Sequence, residues 1–193
     1  MGDKKTLIYT CAKALFSEKG FKDTNVADIT KAAGMAVGTF YNYYPSKEKI
    51  FMDIFLEENG RLKKRCLNAL DLSQSPLAVV RQMLALNYEG TRENPILREW
   101  YNKFVFEKLQ QAFREENGMS TVDFLYDSFL ELVVLWQEQG KMRRDIDARE
   151  IMMMFAALVN IDTHKDEIGL EYFPEILEKM TEFVMQGLTD TRA

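Results

Sequence analysis

The stretch that decides the fold is residues 15–48, which read LFSEKGFKDTNVADITKAAGMAVGTFYNYYPSKE. Apolar residues recur in it at steps of three and four, which is typical of helices and not of strands. Gly34 stands between two short helical segments, where a glycine can adopt the positive φ of a tight turn. The stretch therefore predicts two short helices that meet steeply, as in a helix-turn-helix.

The residues before this turn supply two helices with clear boundaries. The first helix is predicted over residues 5–19, with Gly20 as its C-terminal stop. A second, short helix follows, which Thr24 or Asn25 can cap.

The residues after the turn supply two more helices. The third helix is predicted over residues 37–44 and is closed by Pro45. Ser46 is a good N-cap for a long fourth helix over residues 47–70. Phe40 is expected to fill the gap between the short helices. The outer surface of the third helix would then carry Val37, Gly38, Thr39, Tyr41, Asn42 and Tyr43.

The rest of the chain also has helical periodicity, so the predicted fold class is all-α. Residues 71–76 are the clearest linker. Further helices are predicted over residues 77–92, 96–116, 121–139, 148–163 and 172–187. An ordinary αα-corner of a helical bundle remains an alternative to the helix-turn-helix on spacing alone.

Charge is distributed unevenly along the chain. Residues 1–65 contain 12 Lys and Arg against 8 Asp and Glu, whereas residues 66–193 contain 13 against 22. A basic head on an acidic body suits a small module that faces DNA, carried by a domain that contacts something else.

Several classes of protein are not indicated. The two cysteines do not pair with histidines at metal-ligand spacing, and a reducing cytoplasm is the expected compartment. The most apolar stretch, residues 151–161, is too short to cross a bilayer, so no membrane partner is expected. His164, flanked by Asp162 and Asp166, is not interpreted as a metal site, because side chains at this spacing point in different directions. No catalytic motif is present, and neither an enzyme nor a cofactor is predicted.

Three runs carry a resemblance to a known family. They are residues 15–21 (LFSEKGF), 24–29 (TNVADI) and 33–48 (AGMAVGTFYNYYPSKE). In these runs the chain resembles the N-terminal domain of the TetR family of bacterial transcriptional regulators. The resemblance implies a DNA-binding domain at residues 1–48 and an effector-binding and dimerisation domain at residues 49–193.

The resemblance also implies which residues contact DNA. It makes the helix at 37–43 the recognition helix in the major groove. Thr24 and Lys47 match phosphate-contacting positions. Thr24 lies at a helix N-terminus, which attracts a phosphate, and Lys47 places a cation at the start of the fourth helix. The predicted DNA-binding residues are Thr24, Val37, Gly38, Thr39, Tyr41, Asn42, Tyr43 and Lys47.

The recognition helix departs from the family pattern at three positions. Ala36 stands where Ser or Thr is common, so the helix lacks a side-chain cap. Val37 replaces a polar or basic residue and can pack against a thymine methyl, while Asn42 can pair with adenine. Thr30 stands where a small alanine is usual. These departures leave the operator sequence open.

The last two long helices are predicted to form a dimer interface. Residues 149–159 are apolar nearly all round, and residues 172–188 are amphipathic. In relatives the corresponding helices build a four-helix interface, although buried helices within one chain would look the same. The predicted interface residues are Met154, Leu158, Ile176, Met180 and Phe183.

Aromatic residues on the segments 96–116 and 121–139 predict, as a set, a largely apolar effector cavity, although each residue taken singly is better explained as part of the core. The predicted ligand-binding residues are Trp100, Tyr101, Phe104, Phe129 and Trp136. Glu99, Glu107 and Glu131 are interpreted as solvated charges, with contact to a cationic ligand as the alternative.

The expected function is that of a ligand-responsive transcriptional regulator. We expect a homodimeric repressor that binds a palindromic double-stranded operator and is released by a small hydrophobic effector. The alternative is an all-α interaction or cofactor-binding protein whose head does not read DNA.

Overall fold

The structure is a computed structural model that describes residues 2–102, 104–105, 123–162, 168–173 and 175–189. These residues form helices and no strand, which confirms the all-α prediction. The helices are α1 (Gly2–Lys19), α2 (Val26–Ala32), α3 (Val37–Tyr41), α4 (Lys47–Ala69), α5 (Pro76–Glu93), α6 (Pro95–Arg98), α7 (Asp123–Glu138), α8 (Ala148–Asp162) and α9 (Glu175–Thr189). Short 3-10 helices occupy Glu99–Tyr101 and Leu170–Tyr172.

The chain divides into two compact units. The first contains Met1–Leu62 and Gly90–Thr121, and the second contains Lys63–Glu89 and Val122–Ala193. Helices α4 and α5 each contribute residues to both units. The first unit therefore contains more residues than the predicted DNA-binding domain of residues 1–48. The assignment of residues 1–48 to DNA binding stays a prediction.

The core of the first unit is built on aromatic rings. Phe51 of α4 lies edge-on to Phe16 of α1 and to Phe21, with ring centroids 5.0 Å apart in both pairs. Ile8, Ala12 and Phe16 follow at steps of four along α1, and all three are fully buried. This periodicity places one face of α1 on the core. Gly20, with φ +80°, ends the helix as predicted.

The second unit has its own apolar core. Trp136 of α7 is buried there with Ile151 of α8 and Met185 of α9. The Arg143 amide donates to the Leu188 carbonyl at 2.9 Å, which joins the α7–α8 loop to the end of α9. No helix of the described residues is both long and apolar enough to cross a membrane.

Two predicted helices end earlier than expected. The third stops at Tyr41, because Tyr44 precedes Pro45 and a residue before proline avoids the helical region. The helix predicted over 96–116 is interrupted: α6 ends at Arg98, a 3-10 turn follows, and Asn102 is extended with ψ 109°. Residues 106–116 lie outside the described residues.

Candidate nucleic-acid interface

Helices α2 and α3 are joined by the tight turn that the glycine predicted. Gly34 has a φ of +66°, and the Met35 amide donates to the Thr30 carbonyl at 2.8 Å. The Asn25 side chain caps α2 by accepting from the Asp28 amide at 2.8 Å. Of the two residues considered for that cap, Asn25 is therefore the one that makes it.

Thr30 stands where a smaller alanine was expected, and its side chain is accommodated within α2. The residue is buried, and its hydroxyl donates to the Val26 carbonyl at 3.0 Å. The hydroxyl is therefore satisfied by its own helix and needs no partner on α3.

Helix α3 presents an apolar and aromatic surface around one buried anchor. Phe40 is fully buried, as predicted, while Tyr41 is 54% exposed and Val37 is 45% exposed. Gly38 and Asn42 are also exposed, and Thr39 and Tyr43 are half-buried. A Cβ at Gly38 would have open space around it, so DNA can approach the backbone closely there.

The start of α3 lacks a side-chain cap, which confirms the prediction for Ala36. The Thr39 amide donates instead to the Ala36 carbonyl at 2.9 Å. The first turn of α3 is therefore held by its backbone and by the burial of Phe40.

Thr24 lies inside the module rather than on its surface. Its side chain is fully buried, and its hydroxyl donates to the Gly20 carbonyl at 2.8 Å. The hydroxyl therefore fixes the turn between α1 and α2, and it is not exposed to a phosphate in this structure. A phosphate contact by this residue stays a prediction.

Lys47 also holds the turn between α1 and α2. Its Nζ atom donates to the Phe21 and Thr24 carbonyls, both at 2.8 Å, and lies 4.1 Å from the centroid of the Phe21 ring. The Lys47 ammonium group thus bonds within the chain, which the sequence did not predict, and a phosphate contact by this residue stays a prediction.

Sequence reasoning missed a cation beside the end of α3. Lys5, near the start of α1, lies with its Nζ atom 5.5 Å from the centroid of the Tyr44 ring. Tyr44 in turn packs against Phe40. The signal in the sequence was the pair Lys4 and Lys5, but only the fold brings the start of α1 to the end of α3.

The five predicted ligand-binding residues are divided between the two units. Trp100 is buried against Phe55, Tyr101 is half-buried, and Phe104 is 47% exposed. These three belong to the first unit, whereas Phe129 and Trp136 belong to the second. Trp136 is part of the core, with Phe129 packed against it. The effector cavity stays a prediction.

Glu99 is half-buried and its carboxylate has hydrogen-bond partners within the chain. Its Oε1 atom accepts a hydrogen bond from the Phe21 amide at 2.9 Å, and its side chain belongs to a turn that packs on the first unit. The sequence interpretation of Glu99 did not include this partner, which lies 78 residues away along the chain.

The predicted dimer residues differ in exposure. Leu158 is buried within its own chain, and Met154, Ile176 and Met180 are half-buried. Phe183 is 70% exposed. Met153 on the neighbouring helix α8 is 51% exposed, and the sequence did not predict that this side chain is exposed.

Nothing in the described part of the chain forms a metal centre. No three His, Cys, Asp or Glu side chains come close enough there to hold a metal ion. His164 and Asp166 lie outside the described residues.

Comparison with known proteins agrees with this geometry. The family described as "Bacterial regulatory proteins, tetR family" matches residues 8–54, which contain α2, the turn and α3. The HTH-type transcriptional regulator YuxN of Bacillus subtilis (strain 168) is 33% identical over 94 residues, which cover 49% of this chain and 32% of YuxN. The aligned part is thus about a third of that relative's own length.

Two other proteins match over more of the chain. The HTH-type transcriptional regulator UidR of Escherichia coli (strain K12) is 22% identical over 143 residues, which cover 74% of this chain and 71% of UidR. The crystal structure of Thermus thermophilus FadR, a TetR family transcriptional repressor in complex with lauroyl-CoA, aligns with a TM-score of 0.65. It is 26% identical, and the alignment covers 95% of this chain and 94% of that one.

The buried Phe40 anchor, the Gly34 turn and the exposed face of α3 therefore occur in a sequence and a fold that are similar to those of bacterial transcriptional regulators. Residues 8–54 of the chain match the TetR family of bacterial regulatory proteins.

Proposed function

We propose that this protein is a ligand-responsive transcriptional repressor that binds a palindromic operator as a homodimer. The observation that carries the proposal is the surface of α3, where Val37 and Tyr41 are exposed around the buried Phe40. Moving such a surface from water into a DNA groove costs little free energy, because its apolar groups leave water and gain contacts in the groove. Action on an operator would place the protein in the bacterial cytoplasm.

The exposed residues of α3 have chemistry suited to base edges. Val37 can contact a thymine methyl, and Asn42 can form a bidentate pair with adenine in the major groove. The Tyr41 hydroxyl can donate to a base or to a phosphate. Lys5, beside Tyr44, adds a cation at the edge of this surface for the DNA backbone.

We expect Tyr41→Ala to weaken operator binding by about 1–3 kcal/mol, because it removes a contact to the DNA. Within the chain it removes the edge contact between the Tyr41 and Phe40 rings, whose centroids lie 5.4 Å apart. Tyr41 is more than half exposed, so the midpoint of thermal unfolding should hardly change. Fluorescence anisotropy with a labelled operator would measure the loss. Tyr88→Ala is the matched control, since Tyr88 is an exposed tyrosine on α5. An equal loss on random DNA would contradict base reading by Tyr41.

The dimer interface is proposed on α8 and α9, which pack against each other. Helix α9 has two apolar faces. One carries Thr181, Met185 and Leu188, which are buried within the chain. The other carries Ile176, Met180 and Phe183, which the chain covers only in part. A second copy of the same helix pair would cover this face symmetrically.

The proposed effector is a small, largely apolar molecule. Its contacts stay predictions, because Trp100, Tyr101 and Phe104 belong to the first unit whereas Phe129 and Trp136 belong to the second. The lauroyl-CoA bound by Thermus thermophilus FadR provides a probe, because its acyl chain is apolar although its coenzyme A part is large and anionic. An effector acts only through its different affinities for the two states of the repressor.

We therefore expect lauroyl-CoA to lower operator affinity by about 5- to 150-fold, the usual range of allosteric coupling. Titration of the protein–operator complex followed by anisotropy would measure the release. Free coenzyme A is the matched control, because it lacks the acyl chain. If neither molecule releases the DNA, an acyl-CoA effector is ruled out while DNA binding remains.

A mobility-shift assay on DNA that flanks the protein's own gene tests the proposed function. Specific binding at moderate salt supports a repressor. The alternative, an all-α interaction protein, would be favoured if no duplex bound specifically while a protein partner did.

A further inference from the structure

The carboxylate of Glu99 lies against the turn that leads from α1 into α2. Its Oε1 atom accepts from the Phe21 amide at 2.9 Å, and its Oε2 atom accepts from the Asn102 side-chain amide at 3.1 Å. A Cβ at Gly20 would come within 2.6 Å of Oε1. A larger residue at position 20 would therefore have to displace this carboxylate, and the φ of +80° separately favours glycine there.

The Phe21 backbone is held on two sides by charged groups. Glu99 accepts from its amide, and the Lys47 ammonium donates to its carbonyl at 2.8 Å. The Phe21 side chain is buried between Phe16 and Phe51. The residue at the exit of α1 is thus fixed through both its backbone and its ring.

The direction of α2 depends on this turn, and the position of α3 depends on α2. Thr24, which precedes the Asn25 cap, donates to the Gly20 carbonyl and accepts from Lys47. Beyond α2, the Met35 amide donates to the Thr30 carbonyl. A shift at Phe21 would therefore move α2 and α3 together.

The segment around Glu99 belongs to the first unit and packs against its other helices. Trp100 stacks on Phe55 of α4, with ring centroids 5.4 Å apart. The Asn94 side-chain amide donates to Glu58 Oε2 at 2.7 Å, and Lys13 donates to Glu58 Oε1 at 2.5 Å. Burial alone would raise the pKa of Glu58, but the hydrogen bonds from Lys13 and Asn94 hold the pKa below its ordinary value.

We propose that Glu99 is a positioning residue for operator binding, which sets the direction of α2 and α3 through the Phe21 amide. The proposal rests on the proposed function as a DNA-binding repressor. The proposal predicts that Glu99 strengthens operator binding, whereas its negative charge alone would weaken it. A carboxylate on this module repels phosphates, so its removal should strengthen DNA binding if charge alone mattered. A positioning role predicts the reverse on the operator.

The test compares Glu99→Ala with wild type on two duplexes: one that the wild-type dimer enriches from a random library, and one of scrambled sequence. We expect Glu99→Ala to lose about tenfold on the enriched duplex, the scale of one hydrogen bond to a charged acceptor. Binding to the scrambled duplex should be unchanged or slightly stronger. Hydrogen exchange at the Phe21 amide should become faster.

Two further variants separate positioning from a general loss of structure. Glu99→Gln keeps an oxygen that can accept from Phe21 and should bind the enriched duplex within about twofold of wild type, since the bond is retained. Asn102→Ala removes the other partner of the carboxylate and should behave likewise. Both also keep the proposal testable if Glu99→Ala folds poorly, because loss of operator binding in Glu99→Gln with Phe21 still protected would overturn it.

The remaining outcomes are distinct. If Glu99→Ala binds the enriched duplex as tightly as wild type, or loses equally on both duplexes, the positioning role is overturned and the proposed function stands. If the wild-type chain enriches no duplex at all, the proposed function is overturned and the positioning role with it.

Discussion

A chain carrying Phe183→Glu is expected to sediment as a monomer and to bind its operator at least about 100-fold more weakly, because the avidity of two linked half-sites is lost. Phe183 is 70% exposed on α9, and this exposure makes it a sharp probe. A charge there meets water in the monomer but an apolar face in the proposed dimer. Sedimentation equilibrium and anisotropy with a labelled operator would measure the two effects.

Two other variants make this experiment specific. Phe183→Leu keeps an apolar side chain and should remain dimeric. Leu158→Glu, also on the predicted interface, is a poor probe because Leu158 is buried within its own chain and the charge should destabilise the fold itself. If Phe183→Glu remains dimeric, the interface lies on another surface.

Lys47→Met is expected to lower the free energy of unfolding by about 2–3 kcal/mol, because two carbonyl groups lose a charged donor and the Phe21 ring loses a cation. Methionine retains much of the apolar stem, so the change isolates the ammonium group. Urea denaturation followed by circular dichroism would measure the loss. Operator affinity should fall as well, since the turn that directs α2 is loosened.

Lys49→Met is the matched control, two residues further along α4. Lys49 pairs with Asp53 at 2.9 Å, and both side chains are about a third exposed. Such a pair contributes only about 0.3–0.5 kcal/mol, so this variant should unfold almost like wild type. Should Lys47→Met keep full stability and reduce only the dependence of DNA binding on salt, the phosphate contact would be right and the internal role wrong.

Much of the DNA-binding region was predictable because its signals are local. Gly20 and Gly34 mark turns by their conformational freedom, and Pro45 limits the helix before it. Ser46 caps α4 by accepting from the Lys49 amide at 3.1 Å. Each of these effects depends on neighbours within a few residues, so a single sequence reveals it.

The candidate site was harder to predict in detail. The exposed face of α3 followed from helical spacing, and the structure places Val37 and Tyr41 on it. The roles of Thr24 and Lys47 did not follow, because both were assigned from their positions in the chain without knowledge of the carbonyl groups around them. Exposure in a helix is periodic, whereas the partner of a polar group is not.

The sequence by itself determined the all-α class, the turn at Gly34 and the buried position of Phe40. These features follow from periodicity and backbone sterics, which act over one or two helical turns. Only the tertiary structure decided that Lys47 holds the Phe21 carbonyl from 26 residues away and that Glu99 holds the Phe21 amide from 78 residues away. Such contacts depend on where the folded chain places its remote segments, and a hydrogen bond that requires both distance and direction to match leaves no periodic trace in the sequence.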